Sequence, residues 1–97
     1  MKYNLIVTTV AEEHILSACS YYEAQQSGLS ERFLAELNTV YKKISSNPQL
    51  YSYISSNPND KFRDIKLYKF PVVVIYEIKE NDIIVVAVFN TDRKPIY

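Results

Sequence analysis

Arg93 and Lys94 stand side by side just past an apolar strand, and Arg63, Lys66 and Lys69 recur earlier at short intervals. These cations are the residues best suited to chemistry in this chain. A basic pair at a strand end reads either as a tip that touches a target or as a solvated tail, since loops carry function disproportionately. On a strand, Arg63 and Lys69 share one face by the period of two and Lys66 points to the other. They therefore do not form one patch, and a solvent-facing ladder on an edge strand is the expected arrangement.

Other reactive types are scarce. A single histidine, His14, and a single cysteine, Cys19, cannot assemble a tetrahedral metal site without borrowed carboxylates, so no metal is expected. His14, beside Glu12 and Glu13 and off the Cys19 face, reads as a surface residue; Cys19 reads as an inert core thiol. One glycine and the absence of a Gly-rich or GK[ST] segment exclude a phosphate-cradling loop, and no cofactor is expected. Nine tyrosines are many for this length. Tyr22, Tyr41 and Tyr76 fall on core faces with the hydroxyl at the edge. Tyr51, Tyr53 and Tyr68 fall in or near a loop, where exposed aromatics suggest a protein partner. Cations are not interleaved with them as a base-stacking platform requires.

At 97 residues the chain is expected to form one domain over its whole length and to bury roughly 60–65% of its unfolded surface. Net charge is zero, but four basic and six acidic residues precede Lys61, whereas seven and five follow from it. That mild bias falls short of a nucleic-acid footprint, so no strong direct binding to DNA or RNA is expected. No apolar run reaches the roughly 20 residues of a membrane span. The apolar stretch after Lys2 is too short for a signal-peptide core. With a lone cysteine as well, a cytoplasmic protein without membrane contact is the expectation.

The elements that must position these residues are legible. Tyr3 to Val7 alternates as a short strand. Thr8 or Thr9 offers a helix cap, and Thr9-Val10-Ala11-Glu12 matches a capping box. The helix behind it buries Ile15, Ala18 or Cys19, and Tyr22, and Gly28 is placed to stop it. Ser30 is expected to cap a second helix with the stripe Phe33, Leu34, Leu37, Val40, Tyr41 and Ile44, ended by Asn47-Pro48. Leu50 to Asp60 is turn chemistry. Strands follow at Phe62–Leu67, Val72–Ile78 and Ile83–Phe89, the last two joined through an Asn81-Asp82 turn. The middle strand is apolar on both faces, so Val74 and Tyr76 should be buried at the sheet centre. The fold expected is α+β, ordered β-α-α-β-β-β, with an antiparallel sheet packed against a helical hairpin.

This order resembles the RelE/ParE superfamily of toxins from type II toxin–antitoxin systems. The segments that carry the likeness are Tyr21 to Leu34, Asn47-Pro48, Phe62 to Pro71, Ile75 to Ile78 and Val88 to Pro95. The resemblance implies a small toxin neutralised by a cognate antitoxin, for which Tyr51, Tyr53 and Tyr68 are the expected contacts. It also implies one of two modes of action. A RelE-like protein cleaves messenger RNA on the ribosome by driving the RNA's 2′-hydroxyl onto the adjacent phosphate, which needs convergent cations and proton-transfer groups. Arg63, Lys66, Arg93 and Tyr97 would be the reduced catalytic set. Relatives of that branch carry arginines where this chain has Val73 and Thr91, and many carry a histidine where it has Asn90. A ParE-like (plasmid-stabilisation) protein instead inhibits DNA gyrase by contact, with Arg93 and Lys94 as the expected target-binding residues. The missing cations favour this second mode; a degenerate, non-toxic member is the third possibility.

Overall fold

The computed structural model describes residues 3–54 and 61–91. The chain runs β1 (Asn4–Val7), α1 (Thr9–Gln25), α2 (Leu29–Ser46), a 3-10 turn at Pro48–Leu50, β2 (Phe62–Lys66), β3 (Val72–Lys79) and β4 (Asp82–Asn90). The α+β order is the one expected. The strands line up as β1-β4-β3-β2, with β2, β3 and β4 antiparallel to one another. β1 joins β4 in parallel, which makes the sheet mixed. Short links force β2, β3 and β4 to alternate, whereas β1 is separated from them by two helices and can add in either sense.

The helices cover one face of the sheet. Val72, Val74, Tyr76, Ile83, Val85 and Val88 pack from that face against Phe33, Leu37, Val40 and Ile44 of α2. Val74 and Tyr76 are fully buried, as the apolar middle strand predicts. Strict alternation would send Val85 and Val88 to opposite faces, since they stand three positions apart. A register shift opposite Ile75 and Tyr76 inserts Val86 as an extra residue and returns both valines to the core. Where Tyr22, Phe33 and Phe70 meet, ring centroids lie 4.9–5.6 Å apart and join both helices to the β2–β3 turn.

Local details depart from expectation for identifiable reasons. The α1 cap is Thr8, whose Oγ1 accepts from the Ala11 N–H at 3.2 Å and donates to the Val85 carbonyl at 3.0 Å. Binding to β4 sets the first turn one residue early, so the Thr9–Glu12 capping box does not form. α1 ends at Gln25 with Gln26 as its C-cap, and Gly28, at φ +87°, is the residue before α2. Ser30 lies inside the first turn and is not the cap. Glu23 takes that role: its carboxylate accepts from the Gly28 N–H (2.9 Å), the Ser30 N–H (3.1 Å) and the Ser30 hydroxyl (2.7 Å). The β3–β4 turn is Glu80-Asn81, with Glu80 at φ 59°, because Asp82 pairs with Lys79 and Asn4. His14 is half-buried and not a surface residue. β1 stops opposite Val85, so the Val88 N–H faces α1 and donates to His14 Nδ1 at 3.2 Å.

The Gly28 backbone hydrogen bond, followed by those from Ser30, holds the Glu23 carboxyl below its ordinary value. A depressed carboxyl stabilises the fold at pH above its unfolded pKa, and the effect is lost as pH falls through the folded value. Glu23→Ala should therefore lower the melting temperature at neutral pH and flatten its acid dependence, as read by thermal unfolding across the carboxylate range. An unchanged neutral melting temperature would remove Glu23 from the cap.

Candidate functional site

β2 turns alternate residues to opposite faces, and its register with β3 identifies them. Arg63 pairs with Tyr76 and Ile65 with Val74, so both face the helices. Phe62, Asp64 and Lys66 face the open side, where Lys66 pairs with Val73 and Val73 with Phe89. Arg63 and Lys66 are thus not brought together.

Arg63 is also not part of a solvent-facing ladder. Its Nη1 donates to the carbonyls of Tyr51 (2.6 Å) and Gln49 (3.2 Å), and its Nη2 donates to the Tyr53 hydroxyl (2.9 Å). The guanidinium also lies 4.1 Å from the Tyr53 ring centroid. Backbone bonds from Ile54 N–H to the Phe62 carbonyl (3.0 Å) and from Asp64 N–H to the Ser52 carbonyl (3.3 Å) complete a strap. Beneath it, the buried Tyr76 hydroxyl donates to the Pro48 carbonyl at 2.7 Å. Burial pushes the Tyr76 phenol up to about 12, against the opposing pull of Arg63. Residues 49–54 are therefore fastened along the start of β2 by a forked side chain that turns inward.

The open face is apolar around Lys66. Val73 is buried there although it lies off the main core, and Ile75, Ala87 and Phe89 continue the surface. Among the described strand residues of this face the only other cation is Lys79. At about 3.3 Å per residue it stands roughly 20 Å from Lys66. Lys69 lies on the β2–β3 turn, its backbone N–H held by both oxygens of Glu36 at 2.9 and 3.2 Å.

The three loop tyrosines do not form one surface. Tyr51 is half-buried against the core, Tyr53 is 48% exposed beside Leu50 and Ile54, and Tyr68 is 90% exposed at the far end of β2. Asn90 faces the helices, its amide donating to the Tyr22 hydroxyl at 3.1 Å. Thr91 closes β4 onto the Pro71 carbonyl through its N–H (2.7 Å) and hydroxyl (3.1 Å). Arg93, Lys94 and Tyr97 lie outside the described residues.

Burial, then the charge of Glu23, raises the Cys19 thiol above its ordinary value, so it is a poor nucleophile. Among the described residues no group of three or more His, Cys, Asp or Glu could hold a metal, and no helix is long and apolar enough to cross a membrane.

Sequence reasoning missed one feature, a cleft of about 320 Å³ where α1, α2 and β1 meet. Its walls include Val7, Glu12, Ile15, Leu37 and Tyr41. Leu34, expected in the core, stands at the rim and is 44% exposed. The Tyr41 hydroxyl is buried and has no hydrogen-bond partner, and burial, then Glu12, pushes the phenol up to about 12. The signal that could have found it is a second α2 stripe, Leu34, Asn38 and Tyr41, beside the core stripe.

The family model of the ParE toxin of type II toxin–antitoxin systems, parDE, matches residues 5–95. No curated protein matches the chain in sequence. Among solved structures it is similar to the chromosomal ParDE toxin–antitoxin system of P. aeruginosa, with a TM-score of 0.79 at 14% identity over 92% of this chain and 96% of that one. It is also similar to the YoeB dimer of Staphylococcus aureus, with a TM-score of 0.62 at 16% identity over 90% and 94% of the two chains. At these identities the two structures speak for the fold alone.

Proposed function

Since the chain belongs to the ParE toxin family of type II toxin–antitoxin systems, we propose that it inhibits DNA gyrase by protein contact and is neutralised by a cognate antitoxin. The observation that carries the choice of mode is the separation of Arg63 from Lys66. Cleaving RNA through its own 2′-hydroxyl requires cations within a few ångströms of one phosphate, together with groups that move protons on either side. Here Lys66 sits among Val73, Ile75 and Phe89, and Arg63 is committed to Tyr51, Gln49 and Tyr53 behind the sheet. A contact inhibitor needs no such convergence. It needs a rigid scaffold and side chains that touch the target, the role we give to Arg93 and Lys94.

Tyr53 and Tyr68 fit antitoxin contacts at the two ends of β2, each an exposed amphipathic ring. Tyr51 serves the strap and supports that surface from beneath. A partner that wraps the toxin can reach both ends at once. The cytoplasm is where gyrase and the antitoxin would be met.

The test is inhibition of purified gyrase by the purified chain, without ribosomes. Loss of supercoiling that is restored by the antitoxin is the expected outcome. Undisturbed gyrase beside cleavage of ribosome-bound messenger RNA would replace this reading with the ribonuclease.

A further inference from the structure

We propose that the cleft between α1, α2 and β1 receives a lysine or arginine side chain of the antitoxin, its aliphatic stem against Val7, Ile15 and Leu37 and its charged head between the Tyr41 hydroxyl and the Glu12 carboxylate. This rests on the toxin–antitoxin reading above and adds to it the chemistry of one contact.

Three observations define the occupant. The floor is apolar, so part of the guest is hydrocarbon. The Tyr41 hydroxyl is buried with no partner, and a phenolic oxygen accepts as well as donates. Glu12 lines the same cleft, and no described Lys or Arg forms an ion pair with it. A purely apolar guest would bury the exposed Glu12 carboxylate without a partner, which is costly, and would gain nothing from the hydroxyl that is already unpaired. An acidic guest would face Glu12 directly. A long basic side chain meets all three conditions, because its stem lies along apolar surface while its head reaches a polar site.

The surroundings agree in charge and shape. α1 carries Glu12, Glu13 and Glu23 and no lysine or arginine. On α2, Glu31 precedes Leu34, Asn38 and Tyr41 on one face at helical spacing. Leu16, 68% exposed, follows Glu12 by one turn, and Leu34 rises from the opposite wall. A basic amphipathic segment could therefore set apolar residues on the two leucines while one cation enters the cleft.

The test uses the full chain and the antitoxin encoded beside it, with affinity measured by titration calorimetry. Tyr41→Phe should weaken binding about tenfold, the equivalent of one good hydrogen bond, while the melting temperature of the free chain stays level or rises because an unpaired hydroxyl is removed. Glu12→Gln should weaken binding and reduce its dependence on salt. Changing the antitoxin's lysines and arginines singly to methionine should reveal one position whose loss is not additive with Tyr41→Phe. If both toxin variants bind as tightly as the wild type, the cleft is not the contact, and the antitoxin reading stands without it. If the wild-type chain does not bind the antitoxin, both fall together.

Discussion

Phe33→Ala should destabilise the domain by about 3–5 kcal/mol, the usual cost of emptying a buried aromatic site. Phe33 is fully buried in the first turns of α2. Its ring meets Tyr22 of α1 and Phe70 of the β2–β3 turn at centroid distances of 5.4 and 5.6 Å. The cavity would open where three elements converge, so no single side chain can collapse into it. Domains of this size have about 5–15 kcal/mol in total, so the variant should melt on the order of 15–30 °C lower. Phe33→Leu, which keeps most of the volume, should recover the greater part. Thermal unfolding followed by circular dichroism checks both. A loss below about 1.5 kcal/mol for the alanine variant would mean that α2 does not bind the sheet through this cluster.

Arg63→Ala should cost roughly 1.5–3 kcal/mol, the range for hydrogen bonds to a charged group. The guanidinium is the only side chain whose hydrogen bonds tie Gln49, Tyr51 and Tyr53 to β2 among the described residues. Its removal should leave the backbone bonds of Ile54 and Asp64 to hold the strap alone. Amide exchange across residues 49–54 should then accelerate well before the α2 core opens. Arg63→Lys should recover little, because a lysine cannot serve two carbonyls and a hydroxyl with one planar fork. Any fall in toxicity should follow the loss of folded protein. A variant of unchanged stability that no longer arrests growth would make Arg63 a residue that touches the target or an RNA.

Much of this architecture was legible because it rests on period and breakers. The Phe33, Leu37, Val40, Ile44 stripe, the Asn47-Pro48 stop and the doubly apolar β3 each state their structure locally. What failed needed a partner distant in sequence. Glu23 as the cap of α2 depends on how the chain turns at Gly28, and Ser30 looked the better cap by residue type alone. His14 found its role only because β1 is four residues long and leaves the Val88 N–H to α1. The parallel addition of β1 could not be read from its own alternation.

The site followed the same division. Period two correctly separated Lys66 from Arg63, which is the fact that most weakens a shared catalytic role for them. It could not tell which of the two faces the helices, because that depends on the pairing of β2 with β3. An edge-strand arginine therefore read as solvent-facing, while the strap holds it inward. The cleft beside Tyr41 was hidden for a related reason. Leu34 and Tyr41 fit the apolar stripe of α2 as well as Phe33 does, and only the position of α1 decides which of them stays at the rim.

The most direct test of action by contact is supercoiling of relaxed plasmid by purified gyrase, with the chain titrated in and ribosomes and messenger RNA absent. The expected result is dose-dependent loss of supercoiling, reversed by stoichiometric antitoxin and weakened when Arg93 and Lys94 are both replaced by alanine. Gyrase that supercoils normally at saturating chain, while the same preparation cleaves messenger RNA in translating ribosomes, would contradict it.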